Sequence, residues 1–319
     1  MSSLFSVPSH VWHLHGTSDG GPRVVLLGGT HGDELGGIAT VRLLLKTLDL
    51  LKKPSGSFPH PEVRGQLFVG FGNPEAMLRC ARTASDGRDL NRSFVPDELA
   101  AKPLSNDRLD LVRARELAPL LAQANLLIDV HSTSSPAEPF VCLNTFLPKH
   151  RPYTSLFPVH YILADPDLVY VRHEGAPTAP TTDSHIERNG GIGFCYETGW
   201  AQDPSVAPQI LANLLPILEM SEVITKQFRA LFNLPDPQPP PKKQTVYALR
   251  EPIMMKKSGF TYADGMDHGW QMVTPDHIIG TYADGEPVRA SRAGMYVFPS
   301  APDRLAVGKK IAWIAEEQK

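Results

Sequence analysis

A histidine and a glutamate lie three residues apart, directly after a short apolar segment near the start of the chain. The sequence Gly28-Gly29-Thr30-His31-Gly32-Asp33-Glu34 follows Val24 to Leu27, which predicts a buried strand. The glycines permit a tight turn that would direct His31 and Glu34 to one point. This pair alone is a weak indication of a metal site, since helix starts often carry a glutamate.

Two further apolar segments end in residues of the same chemical types. Asn125 to Val130 precedes His131, and Gly193 to Tyr196 precedes Glu197. In an open α/β sheet, ligands bind beyond the carboxyl ends of the strands. We therefore expect two histidines and two glutamates to meet at one edge of the predicted sheet.

Two imidazoles and one carboxylate are the protein ligands of an open catalytic zinc site, in which water takes the fourth position. The pattern predicts one Zn²⁺ per chain, held by His31, Glu34 and His131. Zinc lowers the pKa of water from ~16 towards ~7. A further carboxylate must move the proton to the leaving nitrogen, and Glu197 is the candidate because it is the remaining acid at a strand end.

Asp129 lies two residues before His131 and would point the same way in an extended strand. Its carboxylate could orient the imidazole of His131, as carboxylates do behind many metal-bound histidines. It could equally cap a nearby helix.

The first two hundred residues alternate short apolar segments with longer helical patterns, which predicts an α/β domain with a largely parallel sheet. Further predicted elements are a strand at Gln66 to Phe71 and helical patterns at Gly36 to Leu48, Asp107 to Ala124 and Val206 to Phe232. The prolines between 235 and 243 predict a linker. We thus expect a catalytic domain at 1–234, a proline-rich linker at 235–243 and a smaller β-rich domain at 244–319, where Asp-Gly turns recur.

The bulk composition favours a small-molecule partner. The 319 residues are 42% apolar and 20% charged with a formal net charge of -3, so no strong field would recruit nucleic acid or an anionic membrane. The first residues have neither the basic nor the apolar region of a secretory signal, and no long apolar run predicts a membrane span. These features predict a cytoplasmic protein without nucleic-acid or membrane partners.

Five sequence blocks, in order, resemble the aspartoacylase and succinylglutamate desuccinylase family. They are Gly-Gly-Thr-His-Gly-Asp-Glu at 28–34, Gly-Asn-Pro-Glu-Ala-Met at 72–77, Asp-Leu-Asn-Arg-Ser-Phe at 89–94, Asp-Val-His-Ser-Thr at 129–133 and Tyr-Glu-Thr-Gly at 196–199. The resemblance implies a zinc carboxypeptidase-like α/β fold, with a mixed, mostly parallel sheet flanked by helices and a smaller C-terminal β-rich domain. It also implies the zinc ligands His31, Glu34 and His131 and the catalytic acid/base Glu197.

The resemblance further implies roles for several basic residues. Asn91 and Arg92 would meet the substrate carboxylate, for which arginine offers a planar, bidentate fork. An upstream arginine would stabilise the oxyanion, and this role falls to Arg82 or Arg88, of which we favour Arg82. Arg188 is the candidate replacement for an arginine that aspartoacylases use to hold the amino-acid product.

The segment before Glu197 departs from the aspartoacylase pattern, because it lacks a tyrosine and contains Asp183 and Glu187. These acids could favour a cationic or neutral substrate over N-acetylaspartate. We therefore expect a zinc-dependent hydrolase that acts on a small N-acyl amino acid. A homo-oligomer is the assembly that we consider for it. The alternatives are a zinc carboxypeptidase that acts on short peptides and a catalytically silent zinc-containing binding module.

Overall fold

The computed structural model describes residues 6–16, 20–85, 88–104, 107–173, 178–200 and 203–318. Fifteen strands occur within these ranges and are numbered in chain order. They are β1 Val11–His15, β2 Arg23–Gly28, β3 Gly56–Pro59, β4 Gln66–Phe71, β5 Leu126–Thr133, β6 Phe140–Leu143, β7 Tyr161–Ala164, β8 Ile192–Trp200, β9 Thr245–Met254, β10 Thr261–Tyr262, β11 Gln271–Val273, β12 Ile278–Thr281, β13 Pro287–Arg289, β14 Gly294–Val297 and β15 Lys310–Glu317.

Eight α-helices lie in the same described ranges. They are α1 Leu35–Thr47, α2 Pro74–Leu78, α3 Pro96–Ala100, α4 Leu109–Leu121, α5 Arg151–Thr154, α6 Val169–His173, α7 Thr182–Arg188 and α8 Ala207–Met220. The helical pattern at Val206 to Phe232 forms α8 and then a 3-10 helix at Lys226–Leu231. Among the residues described, no helix combines the length and the hydropathy needed to cross a bilayer.

Twelve of the described strands form one mixed sheet in the order β11-β14-β15-β9-β7-β6-β8-β5-β2-β4-β1-β3. Its centre is the parallel set β4-β2-β5-β8, so the carboxyl ends of these strands lie at the same edge. Antiparallel neighbours begin at β1 on one side and at β6 on the other. The expected mixed sheet with a largely parallel core is thus confirmed.

Helices cover both faces of the central strands, which explains why their sequences are continuously apolar. Alternate residues of β2 belong to opposite layers, because successive side chains of a strand point to opposite faces. Val24 and Leu26 pack in the layer that contains residues of α1 and α8. Val25 and Leu27 pack in the layer that contains residues of α4 and α7. This double burial fixes β2 and its carboxyl end within the sheet.

The C-terminal region is β-rich, as expected, but it is not confined to a sheet of its own. Strand β9 pairs in parallel with β7, and β15 and β14 follow it, so the main sheet continues past residue 243. Strands β10, β12 and β13 form a separate three-stranded sheet. The division into 1–234, 235–243 and 244–319 stays a prediction, because strand pairing does not establish whether the two parts fold independently.

Candidate metal centre and active-site cavity

The parallel strands bring the chemically important side chains to one edge of the sheet. Gly28, the last residue of β2, lies beside Val130 of β5, and His131 of β5 lies directly beside Glu197 of β8. Paired residues on neighbouring strands present their side chains on the same face. Both strands continue past His131 and Glu197, so these two residues lie inside strands rather than just after them.

The turn between β2 and α1 supplies His31 and Glu34. Gly29 has a φ of 70°, which favours glycine. A Cβ atom at Gly32 would lie 2.1 Å from the carbonyl carbon of Ala76, so no larger residue fits there. Glu34 directly precedes α1 but caps none of its backbone N–H groups, and its carboxylate is instead directed into the site.

Three donor groups converge at this point. His31 Nδ1 is 2.6 Å from Glu34 Oε1, His131 Nδ1 is 3.0 Å from Glu34 Oε2, and the two Nδ1 atoms are 3.2 Å apart. Two ligands on a tetrahedral zinc ion, with bonds of ~2.1 Å, are separated by ~3.4 Å. The group of His31, Glu34 and His131 therefore has the spacing to hold one metal ion.

A carboxylate lies behind each imidazole. His31 Nε2 is 2.8 Å from Asp89 Oδ1, and His131 Nε2 is 3.1 Å from Asp129 Oδ2. When the Nε2 of His31 donates its proton to Asp89 and the Nε2 of His131 carries its proton towards Asp129, each Nδ1 presents a lone pair to the shared point. Two lone pairs that face each other across this distance repel unless a cation lies between them. The donor set thus fits a metal ion.

The carboxylate of Asp129 faces His131 and caps no helix among those described. Its carboxylate accepts hydrogen bonds from Thr30 Oγ1 at 2.8 Å and from Thr182 Oγ1 at 2.7 Å, in addition to facing His131. Asp89 was not identified from the sequence as part of the site, although it opens the Asp-Leu-Asn-Arg block. It accepts from the backbone N–H of Asn91 at 2.9 Å and so ties this turn to His31.

The site is rich in buried negative charge. Although burial raises the pKa of Glu34, the imidazoles of His31 and His131 outweigh this effect when they are protonated and hold its pKa below the usual value. Although burial also raises the pKa of Asp89, Arg82 and His31 lower it well below its usual value. Burial dominates at Glu197 and raises its pKa to about 7. A site with ionised Glu34 and Asp89 beside Glu197 is electrostatically suited to a cation.

Arg82 reaches the same cluster from the segment between α2 and the 3-10 helix at Leu90–Arg92. Its Nε and Nη2 donate to Asp89 Oδ2 at 3.0 and 2.7 Å, and its Nη1 lies 3.7 Å from Glu34 Oε1. Arg88 is exposed. Of the two arginines considered from the sequence, Arg82 is the one that lines the cavity beside the metal-binding group.

The three predicted substrate-binding residues are placed differently from one another. Asn91 and Arg92 line the cavity, and the guanidinium carbon of Arg92 lies 4.5 Å from the ring centre of Tyr170. Arg188 is not among the described residues that line it. Its Nη1 and Nη2 donate to backbone carbonyl oxygens, because α7 turns this side chain away from the cavity towards the neighbouring loops. Arg188 therefore has no place in the functional proposal below.

The cavity next to these residues has a volume of about 680 Å³. The C-terminal region forms one side of it through residues that include Phe298, Arg304 and Trp313. Arg304 also forms an ion pair with Asp33 of the metal-binding turn, with 2.6 Å between Nη2 and Oδ2. The cavity is thus built by both halves of the chain.

Comparison with known proteins shows the family of the chain. The model of the succinylglutamate desuccinylase/aspartoacylase catalytic domain matches residues 20–221, more than half of the 319 residues. The N-acyl-aromatic-L-amino acid amidohydrolase (carboxylate-forming) of Xenopus laevis is 25% identical over 320 aligned residues, which cover 93% of this chain and 94% of that protein. The domain match includes His31, Glu34, His131 and Glu197.

Solved structures show the same fold. The succinylglutamate desuccinylase/aspartoacylase from Rhodobacter sphaeroides has a TM-score of 0.69 at 18% identity, with 97% of this chain and 89% of that chain covered. Murine aminoacylase 3 has a TM-score of 0.65 at 20% identity, with 95% and 97% covered. The family match and the fold agree over the strands that carry the site. The chain therefore belongs to the succinylglutamate desuccinylase/aspartoacylase family.

Proposed function

We propose that the protein is a zinc-dependent amidohydrolase that removes the acyl group from a small N-acyl amino acid or a similar amide. The observation that carries this proposal is the group of His31, Glu34 and His131 beside Glu197, whose buried Oε2 has no hydrogen-bond partner among the described residues. Structural zinc sites use four protein ligands, whereas three ligands beside a separate acid are typical of catalytic sites. The activity named for the Xenopus laevis relative belongs to the same reaction class.

Glu197 is the proposed acid/base. Zn²⁺ held by His31, Glu34 and His131 would lower the pKa of a water molecule and polarise the acyl carbonyl. Burial raises the pKa of Glu197 to about 7, which suits its carboxyl group to exchange a proton near neutral pH. In this role Glu197 accepts a proton from the attacking water and delivers it to the leaving nitrogen.

Arg82 is the proposed stabiliser of the oxyanion that develops on the acyl carbonyl. Two of its nitrogens are held by Asp89, which fixes the guanidinium beside the metal-binding group. A donor held in advance where negative charge develops needs no reorganisation during the reaction. The same carboxylate also faces His31, so Asp89 sets the relative positions of Arg82 and this imidazole.

Arg92 and Asn91 are the proposed binding site for the substrate carboxylate. Arg92 stacks on Tyr170, and its Nη1 donates to the carbonyl oxygen of Asn91 at 2.6 Å. The side chain of Asn91 accepts from the backbone N–H of Thr182 at 2.9 Å. These contacts restrain both residues at the cavity wall, and a restrained arginine fork binds a carboxylate with less loss of side-chain entropy.

A carboxypeptidase is the nearest rival within enzymes, and it would need a groove that admits a peptide chain. The contribution of the C-terminal region to the cavity wall, through Phe298, Arg304 and Trp313, favours a small substrate over a peptide. A silent zinc-binding module is the rival outside enzymes, but such a module has no use for Glu197 beside an incomplete ligand set. The cytoplasmic location and the homo-oligomer stay predictions.

Metal analysis combined with a substrate screen tests the proposal. We expect one zinc ion per chain, and release of free amino acid from N-acetyl, N-succinyl or N-formyl amino acids in preference to short peptides. Removal of the metal with a chelator should abolish hydrolysis, and added zinc should restore it. Hydrolysis by the metal-free protein at the rate of the zinc-loaded protein would contradict the mechanism. Tight binding of an N-acyl amino acid without any product after long incubation would favour the silent module.

A further inference from the structure

Asp183 places a buried carboxylate in the wall of the cavity. It is the second residue of α7, is 4% exposed and lines the cavity together with Cys142, Asn144 and Cys195. We call these four residues the polar recess. The Sγ of Cys195 lies 3.6 Å from Asp183 Oδ1 as a weak donor, and burial raises the pKa of Asp183. No described Lys, Arg or His side chain forms an ion pair with it.

The other acidic residue of α7 has a different environment. Glu187 accepts from Lys149 Nζ at 2.6 Å and lies 2.7 Å from His150 Nε2, outside the cavity. Arg188, the arginine of the same helix, donates to backbone carbonyl oxygens instead of to Asp183. Glu187 thus forms ion pairs with cations of the protein itself, whereas Asp183, at the cavity wall, forms none among the described residues.

Asp183 lies in the first turn of α7 but is not the residue that caps this helix. The hydroxyl of Thr181 accepts the backbone N–H of Ser184 and so already caps α7. Asp165 lines the same cavity but has a structural role, because its two oxygens accept the N–H groups of Val169 and Tyr170 at 2.7 and 2.9 Å. Among the residues that the structure describes, no such pair of backbone donors from other residues faces Asp183.

The recess lies close to the proposed carboxylate-binding pair. The backbone N–H of Thr182 donates to Asn91 Oδ1. Asp183 is the next residue in the chain, so it lies close to the turn that carries Arg92. One cavity therefore has cationic groups at Arg82 and Arg92 and a separate anionic group at Asp183. A ligand that carries a carboxylate and, a few carbon atoms away, a cation would complement both charges.

We propose that Asp183 selects substrates whose amino-acid side chain ends in a positively charged nitrogen, an inference that rests on the proposed deacylase function. The carboxylate of such an N-acyl amino acid would bind at Asn91 and Arg92. Its side-chain ammonium group would enter the polar recess and donate to Asp183. The ion pair would supply a cation to a buried carboxylate that forms no ion pair among the described residues.

The test compares matched substrates with the zinc-loaded full-length protein. Nα-acetyl-L-lysine and Nα-acetyl-L-norleucine differ by the terminal amino group, and Nα-acetyl-L-phenylalanine tests an aromatic preference. The wild type should show a kcat/KM for the lysine substrate roughly tenfold or more above that for norleucine. Asp183→Asn should reduce this ratio to about one while hydrolysis of the norleucine substrate continues.

Asp97→Asn is the matched control, because Asp97 is also the second residue of a helix, α3, but is exposed and outside the cavity lining. It should keep the lysine preference. Thermal unfolding of both variants would show whether Asp183→Asn is folded. If it is not, the wild-type ratios alone decide, and a preference for norleucine or phenylalanine over lysine would overturn the proposal.

The outcomes also separate this inference from the proposed function. If N-acyl amino acids are hydrolysed but the ratio of kcat/KM for the lysine substrate to kcat/KM for the norleucine substrate is the same in wild type and Asp183→Asn, only the role of Asp183 is overturned. If no N-acyl amino acid is hydrolysed, calorimetry with L-lysine and L-norleucine measures binding directly. Tighter binding of L-lysine to the wild type but not to Asp183→Asn would still support the recess, and equal binding would overturn it.

Discussion

The carboxylates at the two ends of the cavity differ in how many hydrogen-bond and ion-pair partners the protein provides for them. At the metal-binding end, Glu34, Asp89 and Asp129 each have several partners within hydrogen-bond distance, and they hold His31 and His131 from opposite sides. At the polar recess, Asp183 has a thiol neighbour and no described ion pair. Groups that hold one another in this way keep a fixed geometry for an ion, whereas a carboxylate without an ion pair is available to recognise a cationic ligand.

The two ends also come from different kinds of structure. The metal-binding end is built on the parallel strands β2, β5 and β8, whose faces are buried on both sides. The opposite side of the cavity is built from the short helices α6 and α7 and from the C-terminal region. We therefore expect substitutions at the metal-binding end to affect metal affinity and kcat, and substitutions at the opposite side to affect KM and substrate choice.

The largest effect is expected at Glu197. Glu197→Gln should lower kcat by roughly 10²- to 10⁴-fold, because an amide cannot exchange the proton. Zinc content should be unchanged, since the three ligands remain. Steady-state kinetics and metal analysis measure the two quantities, with the exposed Glu138→Gln as control. Loss of zinc in Glu197→Gln would show that this residue is a ligand.

The carboxylates behind the histidines should have the next largest effect. Asp89→Asn and Asp129→Asn are each expected to weaken zinc affinity by roughly 10- to 100-fold, because each removes the negative charge that faces an imidazole Nε2. Competition with a chromophoric chelator measures this affinity.

Asp89→Asn should also lower kcat when zinc is saturating, because Asp89 holds Arg82. Asp129→Asn serves as the comparison, since it has no contact with Arg82 among those described. Equal kcat values for the two variants at saturating zinc would argue against Arg82 as the stabiliser of the oxyanion.

The smallest effect is expected at Tyr170, on the side of the cavity opposite the metal-binding end. Tyr170→Leu removes the ring on which Arg92 stacks, an interaction of about 1 kcal/mol, and should raise KM roughly fivefold with little change in kcat. Tyr170→Phe keeps the ring and should behave as wild type. A fall in kcat without a change in KM would instead place Tyr170 at the metal-binding end of the cavity.

Local sequence patterns predicted the central strands and the polar residues at their carboxyl ends. Strand β4 has the predicted bounds, and the other central strands differ by a few residues at their ends. The prediction placed His131 and Glu197 after their strands because the apolar pattern stops there. Both lie within strands, since pairing of β5 with β8 continues through polar residues whose backbone groups still need partners.

The partners of Asp89 and Arg188 could not be read from the sequence in the same way. Asp89 reaches His31 from a segment without helical or strand periodicity, so nothing in the local pattern sets its direction. Arg188 was predicted to hold the amino-acid product, but the packing of α7 turns it towards the carbonyl oxygens of Ala179 and Phe94. Such directions depend on how neighbouring elements pack.

The sequence by itself determined the donor types and their order along the chain, because local apolar periodicity sets where buried strands stop. It thereby identified His31, Glu34, His131 and Glu197 as one group. Only the tertiary structure decided which carboxylate lies behind each imidazole, that Arg304 contacts the metal-binding turn, and that Asp183 lines the cavity while Glu187 does not. These contacts join segments that are far apart in the chain, and their geometry follows from sheet order and helix packing, which local periodicity does not encode.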